Sequence, residues 1–211
     1  ILFFSIFFLF AFNGYGQTTI YDADFSNNGD GFADHSNSNP PANAPATVGP
    51  FGSAPNSWNL SYTSKPATDS GGNSFKVVSG ELQSRDWGGQ GIFESQAIDI
   101  SSLSTFSIDA VGNISGESVF NNTPTEFFQW SYSIDSGTFV DGPSITADGS
   151  LNSPSGWSNI AASGNSLVVR FEFNINGGSD GFDISKIQVT GISSGGSCSI
   201  TDLGLANIAC D

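Results

Sequence analysis

Apolar and polar residues alternate along several stretches of the chain with the period of two that is typical of half-buried β-strands. In residues 126–135 the alternating apolar positions are Phe128, Trp130, Tyr132 and Ile134, separated by Gln129, Ser131 and Ser133. Residues 167–175 repeat the pattern without interruption, from Leu167 to Ile175. Both stretches are therefore predicted to be strands with one face in the core.

Other segments show shorter versions of the same pattern. Residues 75–87 are predicted to form a hairpin that turns at Ser79 and Gly80. Further strands are predicted at 19–25, 60–63, 92–100, 105–111 and 182–190. In the last of these the alternation changes phase after Ile184, which predicts a β-bulge near Ser185.

Many short strands joined by Gly, Ser, Asn and Pro loops predict an all-β fold. We expect an antiparallel β-sandwich of jelly-roll topology, with the first and last strands side by side. Residues 34–57 contain five prolines, Pro40, Pro41, Pro45, Pro50 and Pro55. Because proline cannot donate to a strand ladder, this segment is expected to be a surface loop and not a strand.

The first twelve residues form a nearly unbroken apolar run that is too short to anchor a protein in a bilayer. Gly14 and Gly16 follow with the spacing that a signal peptidase reads. Residues 1–16 are therefore predicted to be the end of a secretory signal peptide, removed before Gln17; the alternative is a buried core segment. We expect a secreted or bacterial cell-surface protein whose mature domain does not insert into membranes.

The charge of the chain excludes one class of partner. Twenty Asp and Glu residues face five Lys and Arg residues, which gives a formal net charge of −15. Such a surface repels phosphate backbones and anionic membranes, so no nucleic-acid partner is expected.

The C-terminal end differs in composition from the rest. Residues 17–192 are predicted to be the sandwich domain, 193–197 a Gly/Ser linker, and 198–211 the start of a second, truncated domain. Cys198 and Cys210 are both in this last part, and in an oxidising compartment they are predicted to form a disulfide. Downstream domains of the same chain are therefore expected partners.

Residues for nucleophilic or zinc catalysis are scarce. His35 is the only histidine, and a loop histidine without an arranged carboxylate and serine does not indicate a catalytic triad. One histidine and two cysteines do not supply an ordinary zinc site. Strand glutamates leave a glycoside hydrolase open as a minor alternative: Glu81, Glu94, Glu126 and Glu172.

Acidic residues near the N-terminus suggest a structural calcium site. Asp22, Asp24 and Asp30 fall within nine residues, together with two asparagines, and Asp183 lies in a second acidic loop. Ca²⁺ binds such dense sets of carboxylate and amide oxygens. The alternative is that these side chains only cap their own turns.

Two tryptophans in glycine-bounded segments are candidate ligand-binding residues. Trp87 and Trp157 are expected to expose their indoles, which could stack on the apolar faces of sugar rings. The alternative is that each indole folds back over a sheet edge, because large aromatic residues are usually buried.

The two ends of the predicted sandwich carry a resemblance. Residues 21–25 (YDADF) and 180–189 (DGFDISKIQV) are similar to the paired terminal strands of carbohydrate-binding-module-like jelly rolls. The whole layout resembles the N-terminal part of multidomain surface proteins or hydrolases that Bacteroidetes-type bacteria export by the type IX route. The resemblance implies a structural calcium ion held by Asp24 and Asp183, although Ser185 or Lys186 stands where the pattern often has a second acid.

Two functional hypotheses follow. The first is a non-catalytic, calcium-stabilised binding or adhesion module that engages extracellular polysaccharide or glycan. The second is an accessory N-terminal domain of an exported hydrolase whose catalytic domain lies beyond residue 211.

Overall fold

A computed structural model describes residues 16–32, 46–64, 74–85, 87, 89–115, 126–145, 149–175 and 181–194. In these ranges the chain forms fourteen strands, numbered below in chain order, and no helix. It follows that the described residues include no helix long and apolar enough to cross a membrane. His35, residues 1–15 of the predicted signal peptide and the segment with Cys198 and Cys210 lie outside the described residues.

The first sheet contains seven strands: β1 (Thr18–Asp22), β2 (Gly31–Phe32), β5 (Ser74–Val78), β6 (Glu81–Arg85), β9 (Leu103–Ser115), β12 (Ile160–Ala161) and β14 (Gly181–Ser193). Their spatial order is β12-β9-β14-β6-β5-β2. The long strand β14 pairs with β6 through its N-terminal half and with β1 through its C-terminal half.

The second sheet also contains seven strands: β3 (Ala46–Phe51), β4 (Trp58–Ser64), β7 (Gly89–Ser95), β8 (Ile98–Asp99), β10 (Phe127–Ile134), β11 (Val140–Asp141) and β13 (Ser166–Ile175). Their order is β11-β10-β13-β7-β4-β3, with β8 beside β13. The two antiparallel sheets pack face to face, so the predicted all-β sandwich is confirmed. Its jelly-roll topology stays a prediction.

Aromatic rings from both sheets form the core between them. Phe182 of β14 lies 4.9 Å from Phe173 and 5.6 Å from Phe128 in the opposite sheet, measured between ring centroids. Phe75 of β5 meets Phe173 edge-on at 5.0 Å. All four rings are fully buried. Burying one such side chain contributes about 1.5–3 kcal/mol, so this contact between the sheets is a main source of stability.

Several local predictions are confirmed. In β13 every second residue from Leu167 to Ile175 is buried. The hairpin turns at Ser79 and Gly80, both with positive φ (54° and 85°), as a two-residue turn requires. The first and last strands pair, and β14 has a register shift between Ile184 and Lys186.

The expectation that residues 34–57 contain no strand is wrong. Residues 46–51 form β3, which pairs with β4 and occupies the edge of the second sheet. Pro50 is tolerated there because an edge strand leaves one side of its backbone unpaired. The pairing register also shifts between Val48 and Phe51, so the ladder is interrupted at the proline.

Candidate functional site

Residues 149–162, here called the covering segment, run along the outer edge of β9. Backbone amides of Leu151 and Ser153 donate to the carbonyls of Gly112 and Ala110, at 2.9 and 3.1 Å. The amide of Ile108 donates to the carbonyl of Trp157 at 3.0 Å. Between these bonds the segment makes a turn, in which the amide of Trp157 donates to the carbonyl of Pro154 at 3.0 Å. A surface groove lies beside β9 at this turn.

Buried anchors fix the covering segment against the sandwich. Leu151 is fully buried, and its carbonyl accepts a hydrogen bond of 2.7 Å from Nε1 of Trp130. The Trp157 ring packs edge-on against Tyr132 at 5.1 Å. A side chain at Gly142 would lie 2.6 Å from Pro154 and 3.3 Å from Trp157, so glycine allows the close approach. The covering segment, which forms one side of the groove, is therefore in contact with both sheets.

The groove has a volume of about 320 Å³ and a lining of mixed polarity. Its exposed polar residues are Asp109, Asn152, Ser155 and Ser158. Val111 and Trp157 supply apolar surface. Val111 is 41% exposed, and the only other exposed large apolar residue in the described ranges is Val140, away from the groove. Carboxylate, amide and hydroxyl groups next to apolar carbon can bind a ligand rich in hydroxyl groups.

Trp87 does not have the exposed indole expected from its glycine-bounded segment. It is 1% exposed, and rings of Phe32, Tyr62 and Phe75 lie 5.5–6.0 Å from it. These rings come from strands of both sheets, so Trp87 belongs to the core. Sugar binding by Trp87 stays a prediction, but its indole is not accessible for stacking in this structure.

Trp157 is also largely buried, at 8% exposed, and therefore does not present a flat open indole face either. Unlike Trp87, it lines the groove. The structure thus separates the two candidates: Trp157 contributes to a groove wall, whereas Trp87 contributes to the core.

The four aspartates predicted as calcium ligands have different neighbours. The carboxylate of Asp22 accepts a hydrogen bond of 3.4 Å from Gln188, and Asp183 forms a 2.5 Å ion pair with Arg85. Asp24 accepts a hydrogen bond from the amide of Ser26 at 3.0 Å. Hydrogen bonds from Ser26 lower the pKa of Asp24, as in a carboxylate that caps a turn.

Strand register separates Asp183 from Asp22. Asp22 pairs with Gln188, and Asp183 comes five residues before Gln188 on β14, which corresponds to about 16 Å along the strand. Asp30 is held beside β5, where its carbonyl accepts a hydrogen bond from the amide of Val77 at 2.8 Å. Within the described ranges no three His, Cys, Asp or Glu side chains form a group that could hold a metal ion. Calcium binding stays a prediction.

Three of the four glutamates predicted on strands lie in strands of the two sheets, whereas Glu126 directly precedes β10. Glu94 receives two hydrogen bonds from Arg170, at 3.0 and 2.7 Å, and Glu172 accepts one from Gln90. Glu81 lies in the other sheet, and Glu126 is buried, with no hydrogen-bond partner for its carboxylate. The two glutamates that share an outer face are therefore already bonded to neighbouring side chains.

Of the residues that line the groove, only Trp157 was predicted from the sequence; those missed include Asp109, Val111 and Asn152. One signal was present, since Val111 is an apolar residue at an outward position of β9, where Ser107 and Asp109 are polar. Asn152 comes from a segment without regular alternation.

The chain matches no known family model, and no curated protein is significantly similar to it. The resemblance to carbohydrate-binding-module-like jelly rolls is therefore supported at the level of the all-β sandwich alone.

Proposed function

We propose that the chain is a non-catalytic binding or adhesion module of a secreted or cell-surface protein, and that it engages extracellular polysaccharide or glycan through the groove beside β9. The observation that carries this proposal is the lining of the groove. Exposed Asp109, Asn152 and Ser155 stand next to exposed Val111. A sugar offers the complementary surface, because each ring has hydroxyl groups around an apolar face.

The groove suits recognition by side chains. The β9 amides at Ile108, Ala110 and Gly112 already donate to the covering segment, so an added peptide strand would find these donors occupied. The volume of the groove is near the lower end of the range of about 300–1000 Å³ that small-ligand pockets occupy. This favours a short stretch of a glycan, such as a chain end or a branch.

Support for a binding role over a hydrolytic one comes from the carboxylates of the groove. Its described lining holds one, that of Asp109, and the strand glutamates lie outside it. A glycosidase needs one carboxyl group that donates a proton and a second, ionised one nearby. An accessory domain of an exported hydrolase would bind in the same way, with catalysis in another domain.

Affinity electrophoresis in gels that contain single polysaccharides tests the proposal. We expect retardation in at least one gel, and we expect Val111→Ser together with Asn152→Ala to abolish it, because both changes remove groove contacts. Val140→Ser is a matched control, since Val140 is similarly exposed (48%) on β11. Retardation that survives the groove changes, or release of reducing sugar by the protein itself, would contradict the proposal.

A further inference from the structure

We propose that the groove selects neutral glycans and rejects anionic ones such as uronic-acid polymers, because Asp109 is the only charged residue in its described lining and the neighbouring cation, Lys186, is held in an ion pair with Asp109. This inference rests on the proposed function and specifies the class of ligand. Its basis is the position of the β-bulge in β14, the ion pair itself and the charge of the groove lining.

The bulge determines which way Lys186 points. Ile184 pairs with Gly112, and after the register shift Lys186 pairs with Val111 and buried Ile187 with Ala110. Without the extra residue, Lys186 would pair with Ala110, which faces the core. The bulge therefore places the lysine on the outer face of the first sheet, next to the groove.

On that face Lys186 binds the carboxylate of Asp109. Nζ of Lys186 lies 2.5 Å from Oδ2 of Asp109, which is the position two residues before Val111 on β9. The two side chains are 35% and 54% exposed. Asp109 lines the groove, whereas Lys186 does not. The lysine thus acts through the aspartate, as a positioning residue for the only charged group among the described residues of the lining.

The other charges of the described residues also disfavour the binding of an anionic sugar. Within the described part of the chain, no residue that lines the groove is cationic. Arg85 and Arg170 are ion-paired elsewhere, with Asp183 and Glu94. The whole chain carries a formal charge of −15. An anionic sugar would meet a carboxylate and an unfavourable long-range potential, whereas a neutral sugar can hydrogen-bond to the same carboxylate.

Binding is measured for the purified protein at low salt, where charge effects are not screened. The probes are two neutral polysaccharides, a β-glucan and a galactomannan, and two anionic ones, polygalacturonate and alginate. We expect binding to at least one neutral probe and weaker binding to both anionic probes. Asp109→Asn should reduce the neutral-to-anionic preference by about tenfold, because it removes the repelling charge and releases Lys186.

Further variants separate charge selection from a folding effect. Lys186→Met should increase the preference for neutral probes, since it exposes the full charge of Asp109, and Lys186→Arg should restore the wild-type preference. Asp141→Asn and Lys76→Met are matched controls on β11 and β5, outside the groove.

The possible outcomes distinguish the two proposals. Binding of none of the four probes would overturn the proposed function, and this inference with it. Binding to anionic probes that equals or exceeds binding to neutral probes would overturn only the inference. An unchanged preference in Asp109→Asn would also overturn the inference alone.

Discussion

Trp87 and Trp157 occupy similar short glycine-bounded segments, yet their surroundings differ. Trp87 lies among three rings, those of Phe32, Tyr62 and Phe75, which come from both sheets. Trp157 has one ring neighbour among the described residues, Tyr132, and lies beside the groove. The first tryptophan therefore joins the two sheets, and the second joins the covering segment to the sandwich.

The difference shows what decides the role of a tryptophan in a β-sandwich. Strands on both sides enclose an indole between the sheets, so its whole area is removed from water. The indole of Trp157, at the side of the sandwich, belongs to the covering segment, and the groove lies next to it where this segment turns. Burial alone, 1% against 8% exposed, would not separate the two roles.

The largest expected effect is that of Trp87→Ala. Removing a tryptophan enclosed by both sheets should lower the free energy of unfolding by about 3–5 kcal/mol, since it leaves a large cavity. Urea unfolding followed by far-UV circular dichroism measures the change. Trp87→Phe is the matched variant and should lose clearly less. A loss below about 1 kcal/mol for Trp87→Ala would place this indole outside the core, because surface substitutions are that small.

A smaller loss of stability is expected for Trp157→Ala, with a larger loss of binding. The indole has one ring contact, so the free energy of unfolding should fall by about 2 kcal/mol, below the usual range for buried tryptophan. Retardation by polysaccharide should disappear, because the covering segment loses its anchor and the groove its wall. Trp157→Phe keeps a ring against Tyr132 and should retain most of the stability. Folded Trp87→Phe is the control and should still bind. If Trp157→Ala also still binds, the proposed role of Trp157 in the groove wall is contradicted.

Much of the sandwich could be predicted because local patterning determines it. The alternation in residues 167–175 requires one buried face, and the Ser79-Gly80 turn fixes the hairpin register. The phase change after Ile184 predicted the bulge for the same reason. Strand β3 was missed because its proline obscures the pattern and because its pairing with β4 is visible only in the tertiary structure.

The candidate site could not be predicted to the same extent. Whether an indole is exposed depends on which distant strands and segments pack over it, and the tryptophan's own neighbours in sequence do not report this. The groove likewise brings together residues that are some forty positions apart in the chain, for example Asp109 of β9 and Asn152 of the covering segment. The aspartates between 22 and 30 are close in sequence, but the register of β14 places Asp183 away from them.

The smallest expected effect is a difference in acid sensitivity between the side of the sandwich near Trp157 and the core around Trp87. Asp135 follows β10, the strand that carries Tyr132, and its carboxylate accepts hydrogen bonds of 2.9 Å from the amides of Ser166 and Asn165. These bonds lower the pKa of Asp135 below its ordinary value. A carboxylate with a lowered pKa in the folded state contributes stability above its unfolded pKa of about 3.9, and this contribution is lost as the pH falls further.

Hydrogen exchange at pH 5 and at pH 3 measures this effect region by region. Peptides that cover residues 130–135 and 157–166 should lose protection at pH 3 more than a peptide that covers 74–80, which has no carboxylate and whose Phe75 packs against Trp87. Asp135→Asn keeps an oxygen that accepts hydrogen bonds but does not titrate, so it should remove the difference. Asp141→Asn, on exposed β11, is the control and should preserve it. Equal loss of protection in both regions of the wild-type protein would show that the side of the sandwich near Trp157 is no more dependent on carboxylates than the core around Trp87.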